Sequence, residues 1–136
     1  MKNTRHCVFE TNSSSTHSIS VSSEVNGVYD TIVPEKGTIT LRGGSFGWEQ
    51  EIYFNALTKA NYAAIDVYDN LEHEKMLIEV IKEHTGAKKV IIDLQPGSYI
   101  DHQSQGITRK LFKSKHLLKK WIFDTASYLQ TDNDNH

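Results

Sequence analysis

Seven consecutive residues, Asn12 to Ser18, read Asn-Ser-Ser-Ser-Thr-His-Ser. Six offer a hydroxyl or an imidazole, and Asn12 adds an amide. Hydroxyl donors, backbone N–H groups and a ring that can carry charge are what a phosphate or carboxylate needs when it leaves water. Ser14, Ser15, Thr16 and His17 are therefore candidate ligand contacts. A Ser beside a His is also the raw material of an activated nucleophile, but the required third group and oxyanion site are not legible. The alternative is a solvated Ser-rich loop, because polar clusters without periodicity are usually loops.

A second polar island is Tyr99-Ile100-Asp101-His102-Gln103-Ser104. If extended, it places Asp101 and Gln103 on one side and Ile100, His102 and Ser104 on the other. Asp101 and His102 then cannot pair with each other, yet each can meet the Ser-rich run. His17, His102 and Asp101 are the catalytic candidates, as a general acid–base set. Two histidines and a carboxylate without fixed spacing fall short of a metal motif, so no metal or other cofactor is assigned.

A third island, Gly43-Gly44-Ser45-Phe46-Gly47-Trp48, has glycines that would let backbone approach a ligand, but it matches no phosphate-loop fingerprint. Arg42 precedes it and can reach an anion, while Trp48 and Tyr99 can stack on a base. A basic stretch follows later, with Arg109, Lys110, Lys113, Lys115, Lys119 and Lys120 and no acid among them. These are six of the fifteen Lys and Arg; the other nine face seventeen acids, so the stretch stands at +6 in a surround of −8. Local basicity of this kind attracts phosphates, and Arg109 joins the candidate contacts. A solvated helix face explains the same charges.

The three islands, Val8 to Ser18, Phe46-Gly47-Trp48 and Tyr99 to Ser104, resemble a family of small proteins met in bacteriophage and prophage genomes. The resemblance implies an accessory phage protein acting in the bacterial cytoplasm, of the kind that often inhibits host defence or host machinery. It carries over no catalytic role. It does imply one composite site built from the three islands; with the two arginines read from the sequence, the candidate contacts are Ser14, Ser15, Thr16, His17, Arg42, Trp48, Tyr99, Asp101, His102, Ser104 and Arg109. The expected function is binding of a phosphate-bearing small molecule, a nucleotide or nucleotide-derived signal. The alternatives are a phosphodiesterase or other hydrolase working on such a ligand, and a protein-binding inhibitor of a host enzyme.

These residues need a frame. At 136 residues, with 38 % hydrophobic side chains, the chain has the size and composition of one domain with one modest core. A net charge of −2 argues against a strongly basic nucleic-acid binder. No apolar run reaches the roughly 20 residues of a membrane span, and the N-terminus lacks the apolar core of an export signal. Cys7 has no partner for an internal disulfide. The expectation is a cytoplasmic protein without membrane contact; homo-oligomer formation stays open.

Residues 1–16 read as a polar arm. Ile19 and Val21 alternate with serines, which predicts a strand from His17. Tyr29–Val33 and Thr38–Arg42, joined by Pro34–Gly37, predict a hairpin. One long or two short helices are expected over 48–68, and a helix over 71–84 that Gly86 terminates. Val90–Leu94 reads as a buried strand and Tyr99–Gln103 as a returning one. Ser114 caps a helix whose apolar face runs through Leu117, Leu118, Trp121, Ile122, Thr125, Tyr128 and Leu129. The tail 131–136 reads as frayed. The expected class is α+β, a small mostly antiparallel sheet packed with two to four helices.

Overall fold

A computed structural model describes the backbone of residues 6–10 and all of 17–47 and 49–131. In chain order the elements are β1 (His6–Glu10), β2 (Ser18–Ser22), β3 (Thr38–Leu41), β4 (Ser45–Phe46), β5 (Glu51–Tyr53), α1 (Ala56–Asp66), α2 (Leu71–Thr85), β6 (Lys89–Ile92), β7 (Tyr99–Ile100), α3 (Lys115–Phe123) and β8 (Tyr128–Thr131). Short 3₁₀ turns occupy His102–Ser104 and Arg109–Lys113. The largest sheet is antiparallel, with strands in the order β1-β2-β8-β5, and two parallel pairs, β3–β6 and β4–β7, accompany it. The fold is α+β, as the sequence implies. Among the described residues no helix is long and apolar enough to cross a membrane.

Local chemistry explains the helices. Asn70 caps α2 by accepting from His73 N–H at 3.1 Å, Glu72 and Glu74 sit in the first turn, and Lys82 and His84 in the last. Gly86 ends α2 at φ 76°, in the left-handed conformation that favours glycine. Asn55 caps α1 through Thr58 N–H and Ser114 caps α3 through Leu117 N–H. On α1 the buried face is built from Ala56, Ala60, Ala63 and Ala64, small enough for close packing, with Tyr62 among them. Leu77, Val80 and Ile81 of α2 and Leu118, Trp121 and Ile122 of α3 complete the helical share of one core.

Several expectations give way. Strand β1 occupies residues 6–10 of the expected arm and pairs along β2. Tyr29–Val33 forms no hairpin strand. Its backbone bridges to the end of α3, where Asp30 N–H donates to Phe123 O at 2.7 Å, and β3 pairs in parallel with β6 instead. A parallel partner requires a long crossover, and α1 and α2 supply it. The stretch 48–68 yields a helix only from Ala56, because residues 51–53 add the edge strand β5 to β8. Tyr99–Gln103 is extended for two residues only, then tightens into the 3₁₀ turn.

The capped helix after Ser114 stops at Phe123. Tyr128 and Leu129, which continue its apolar spacing, lie in β8. Asp124 turns the chain, and Trp121 Nε1–H donates to Tyr128 O at 2.9 Å across that turn. The fully buried Lys59 reinforces the corner: its Nζ donates to Asp124 O at 3.1 Å and Ser127 O at 2.8 Å. Burial pulls this amine down to about 7, against the opposing pull of Asp124 and Asp30. The expected tail lies outside the described residues from 132 onward.

Candidate functional site

The three polar islands meet, and they meet at His17. Its backbone N–H donates to Ser104 Oγ at 3.1 Å. Its Nε2 lies 2.6 Å from Gly47 O. A carbonyl only accepts, so Nε2 carries the proton; in the tautomer protonated there alone, Nδ1 accepts from Tyr62 OH at 3.0 Å. His17 is 1 % exposed, and Ser104 and Tyr62 are fully buried. Burial first, then the nearby negative charges of Asp66 and Asp101, push the Tyr62 hydroxyl well above the ordinary phenol range. It remains a neutral donor.

Backbone pairing extends this junction. Strands β4 and β7 register Ser45 with Tyr99 and Phe46 with Ile100. Tyr99 N–H donates to Gly44 O at 2.9 Å and Asp101 N–H to Phe46 O at 2.8 Å. Phe46 packs edge-on against Tyr62, with ring centroids 5.0 Å apart. The Tyr99 hydroxyl lies close over Gly47, 2.4 Å from where a Cβ would stand, so a side chain there would displace that ring. The islands therefore hold one another in the interior, and the ring of His17 belongs to that frame.

Beside this frame a cleft of about 930 Å³ opens between the α1–α2 corner and the β6–β7 segment. Ile65, Ile92, Leu94 and Ile100 give it an apolar lining. Tyr68 and Tyr99 add rings that are 64 % and 48 % exposed. Among the described residues Arg109 is the one basic residue in the lining, against the carboxylates of Asp66, Asp69, Glu74 and Asp93. Asp93 lies 3.7 Å from Arg42, in an exposed ion pair. Asp66 accepts from Gly106 N–H at 2.5 Å, Thr108 N–H at 3.0 Å and Thr108 Oγ1–H at 2.5 Å. It thereby pins the loop that carries Arg109.

Of the residues expected from the sequence, Tyr99 and Arg109 line the cleft. His17 and Ser104 form the buried junction, and Arg42 stands beside the cleft on Asp93. Asp101 is half-buried, its backbone tied to Phe46, and His102 is exposed at the start of a 3₁₀ turn. His17 is thus buried and His102 exposed. Ser14, Ser15, Thr16 and Trp48 lie outside the described residues.

The basic stretch is largely occupied by structure. Lys115 binds Glu79 at 2.7 Å and Glu83 at 3.1 Å, joining α3 to α2. Lys120 donates to Glu24 O, and Lys119 lies 5.7 Å above the Tyr29 ring. Sequence reasoning missed Tyr62, Asp66, Tyr68, Asp69, Glu74 and Gly106. The signal closest to hand was Gly106 itself, a turn residue between the second island and Arg109. Among the described residues no group of three or more His, Cys, Asp or Glu is placed to hold a metal ion. The chain matches no family model, no curated protein and no solved structure.

Proposed function

We propose that the chain is a binding protein for a small phosphate-bearing molecule of nucleotide type, held in the cleft between the α1–α2 corner and β6–β7. One observation carries this reading: a single concavity joins an apolar lining, two accessible tyrosine rings, a guanidinium and several carboxylates. Its volume lies within the usual range for small-molecule sites. A base would pack on Tyr99 or Tyr68, Arg109 would take the phosphate, and carboxylates would accept from sugar hydroxyls. The likeness of the three islands to phage proteins supports a role in an infected bacterium, where capture of a host nucleotide signal would blunt defence.

Calorimetric titration with nucleosides and nucleotides of all four bases tests the reading. Binding should be saturable, weakened at least tenfold in Tyr99→Ala and in Arg109→Gln, and the ligand should be recovered intact after long incubation. Recovery of cleaved ligand would move the protein to the hydrolases. Absence of binding across the set would remove the ligand reading. One observation favours a protein partner instead: Val25, Val28 and Val33 are 92 %, 71 % and 80 % exposed in one segment. Loss of a stoichiometric host protein from a pull-down with a Val28→Asp, Val33→Asp double variant would support that second reading.

A further inference from the structure

The charge around Arg109 narrows the ligand class. Four carboxylates line the cleft against one guanidinium, but they are not equivalent. Asp66 is engaged by three donors from the Gly106–Thr108 loop, and Asp93 is offset by Arg42. Asp69 and Glu74 remain as the acidic groups whose charge a ligand would meet. Asp69 stands at φ 71° between α1 and α2, a left-handed backbone that directs the chain round the cleft wall. Arg109 enters no ion pair among the described residues.

The Arg109 backbone is tied to the Gly106 turn, and its side-chain stem runs beside that glycine. Its Nε lies 3.3 Å from where a Cβ on Gly106 would stand, so the guanidinium arm lies over that glycine. Gly106 has φ 91°, and its carbonyl accepts from Arg109 N–H at 3.2 Å. Asp66 fixes the loop from the helix side. The described lining therefore combines one guanidinium, on a loop pinned by Asp66, with the further carboxylates of Asp69 and Glu74.

We propose that this cleft selects a phosphodiester carrying a single negative charge, with Asp66 and Gly106 as positioning residues for Arg109 and with Asp69 and Glu74 as both filter and acceptor. The inference rests on the nucleotide reading above. One negative charge neutralises Arg109 and leaves Asp69 and Glu74 to accept from hydroxyl or amino groups. A triphosphate brings several charges to the same place, with one guanidinium to meet them and two carboxylates to repel the rest.

The test uses the full chain and, for each base, three probes: the nucleoside, its cyclic monophosphate and its triphosphate, titrated without divalent metal at low salt. The cyclic monophosphate should bind at least roughly tenfold more tightly than either companion. Arg109→Gln, a change at an exposed side chain, should reduce it to the level of the nucleoside, and Gly106→Ala should do the same if the protein stays folded. The Asp69→Asn, Glu74→Gln double variant should raise triphosphate affinity more than that of the cyclic monophosphate and so narrow their ratio. If triphosphate binds as tightly as the cyclic form, or if the double variant leaves their ratio unchanged, the charge selection is overturned while nucleotide binding stands. If no probe binds, both fall.

Discussion

Replacing His17 by Ala tests the central geometry most directly. The ring satisfies the Gly47 carbonyl and accepts from the Tyr62 hydroxyl, both in the interior. Each buried polar group left without a partner costs about 1–3 kcal/mol, and the space vacated by the ring adds a cavity term. A loss of roughly 3–5 kcal/mol follows, a large share of the 5–15 kcal/mol typical of a domain. At about 2.1 cal/mol/K per residue, a chain of 136 residues unfolds with an entropy near 0.29 kcal/mol/K, so Tm should fall by roughly 10–17 °C.

Urea denaturation followed by circular dichroism and by tryptophan fluorescence gives the free energy independently of the thermal scan. Tyr62→Phe alone should cost about 1–2 kcal/mol, and the double variant less than the sum, because both remove one hydrogen bond. At a temperature where His17→Ala is folded, the cleft should still bind its ligand, since His17 is not part of the lining. A variant within 1 kcal/mol of the parent that has lost ligand affinity would refute this reasoning and turn the ring toward a ligand.

Two further outcomes follow from buried or strained groups. Lys59 gives up its proton near pH 7 in the folded protein and near 10.5 in the unfolded chain, so the unfolded state holds more protons between those values. Stability attributable to this group should rise with pH through that window, by up to about 1.4 kcal/mol per pH unit, and Lys59→Met should lack that rise in urea titrations across the range. Gly43→Ala should cost about 2 kcal/mol or more, because φ is +79° and the new Cβ would lie 2.6 Å from Ser98 Oγ and 3.1 Å from Leu94 Cδ2. Gly97→Ala, at φ +86° but with nothing within 4 Å, should cost only about 1 kcal/mol; equal melting shifts would contradict the packing argument.

What was legible in the sequence was local. Asn70 with Gly86 brackets α2, and Ser114 opens α3, because capping chemistry is written within a few residues of where it acts. What was not legible depended on partners far along the chain. Thr38–Leu41 reads as one arm of a hairpin until β6, fifty residues on, offers a parallel edge. Tyr128 and Leu129 keep the period of α3, yet the gap between β2 and β5 takes them into the sheet. His17 posed the hardest problem. A polar residue at the end of a serine run looks the same whether it faces solvent or a buried carbonyl. Asp66 likewise reads as an ordinary acid in the last turn of a helix, and only the fold brings Gly106 and Thr108 to it.

Helix α1 connects the buried junction with the cleft. Tyr62 and Asp66 lie one turn apart on it, so they share a face. Tyr62 holds His17, and through it Gly47, while Asp66 holds the loop that presents Arg109. Tyr99 is fixed by the β4 backbone at Gly44 and by the bare Cα of Gly47. Arg109 thus sits on a loop pinned by Asp66, which was not foreseen, while Tyr99 meets glycines of the third island that the sequence had singled out. The polarity of Ser104 and His17 is then explained without ligand contact: their side chains satisfy backbone groups buried where two short strands end. Substitutions within the junction should reach the ligand only by displacing Tyr99 or Arg109, so in variants that remain folded they should lower stability while leaving affinity near that of the parent. Substitutions of Tyr99, Arg109, Asp69 and Glu74 should change affinity instead.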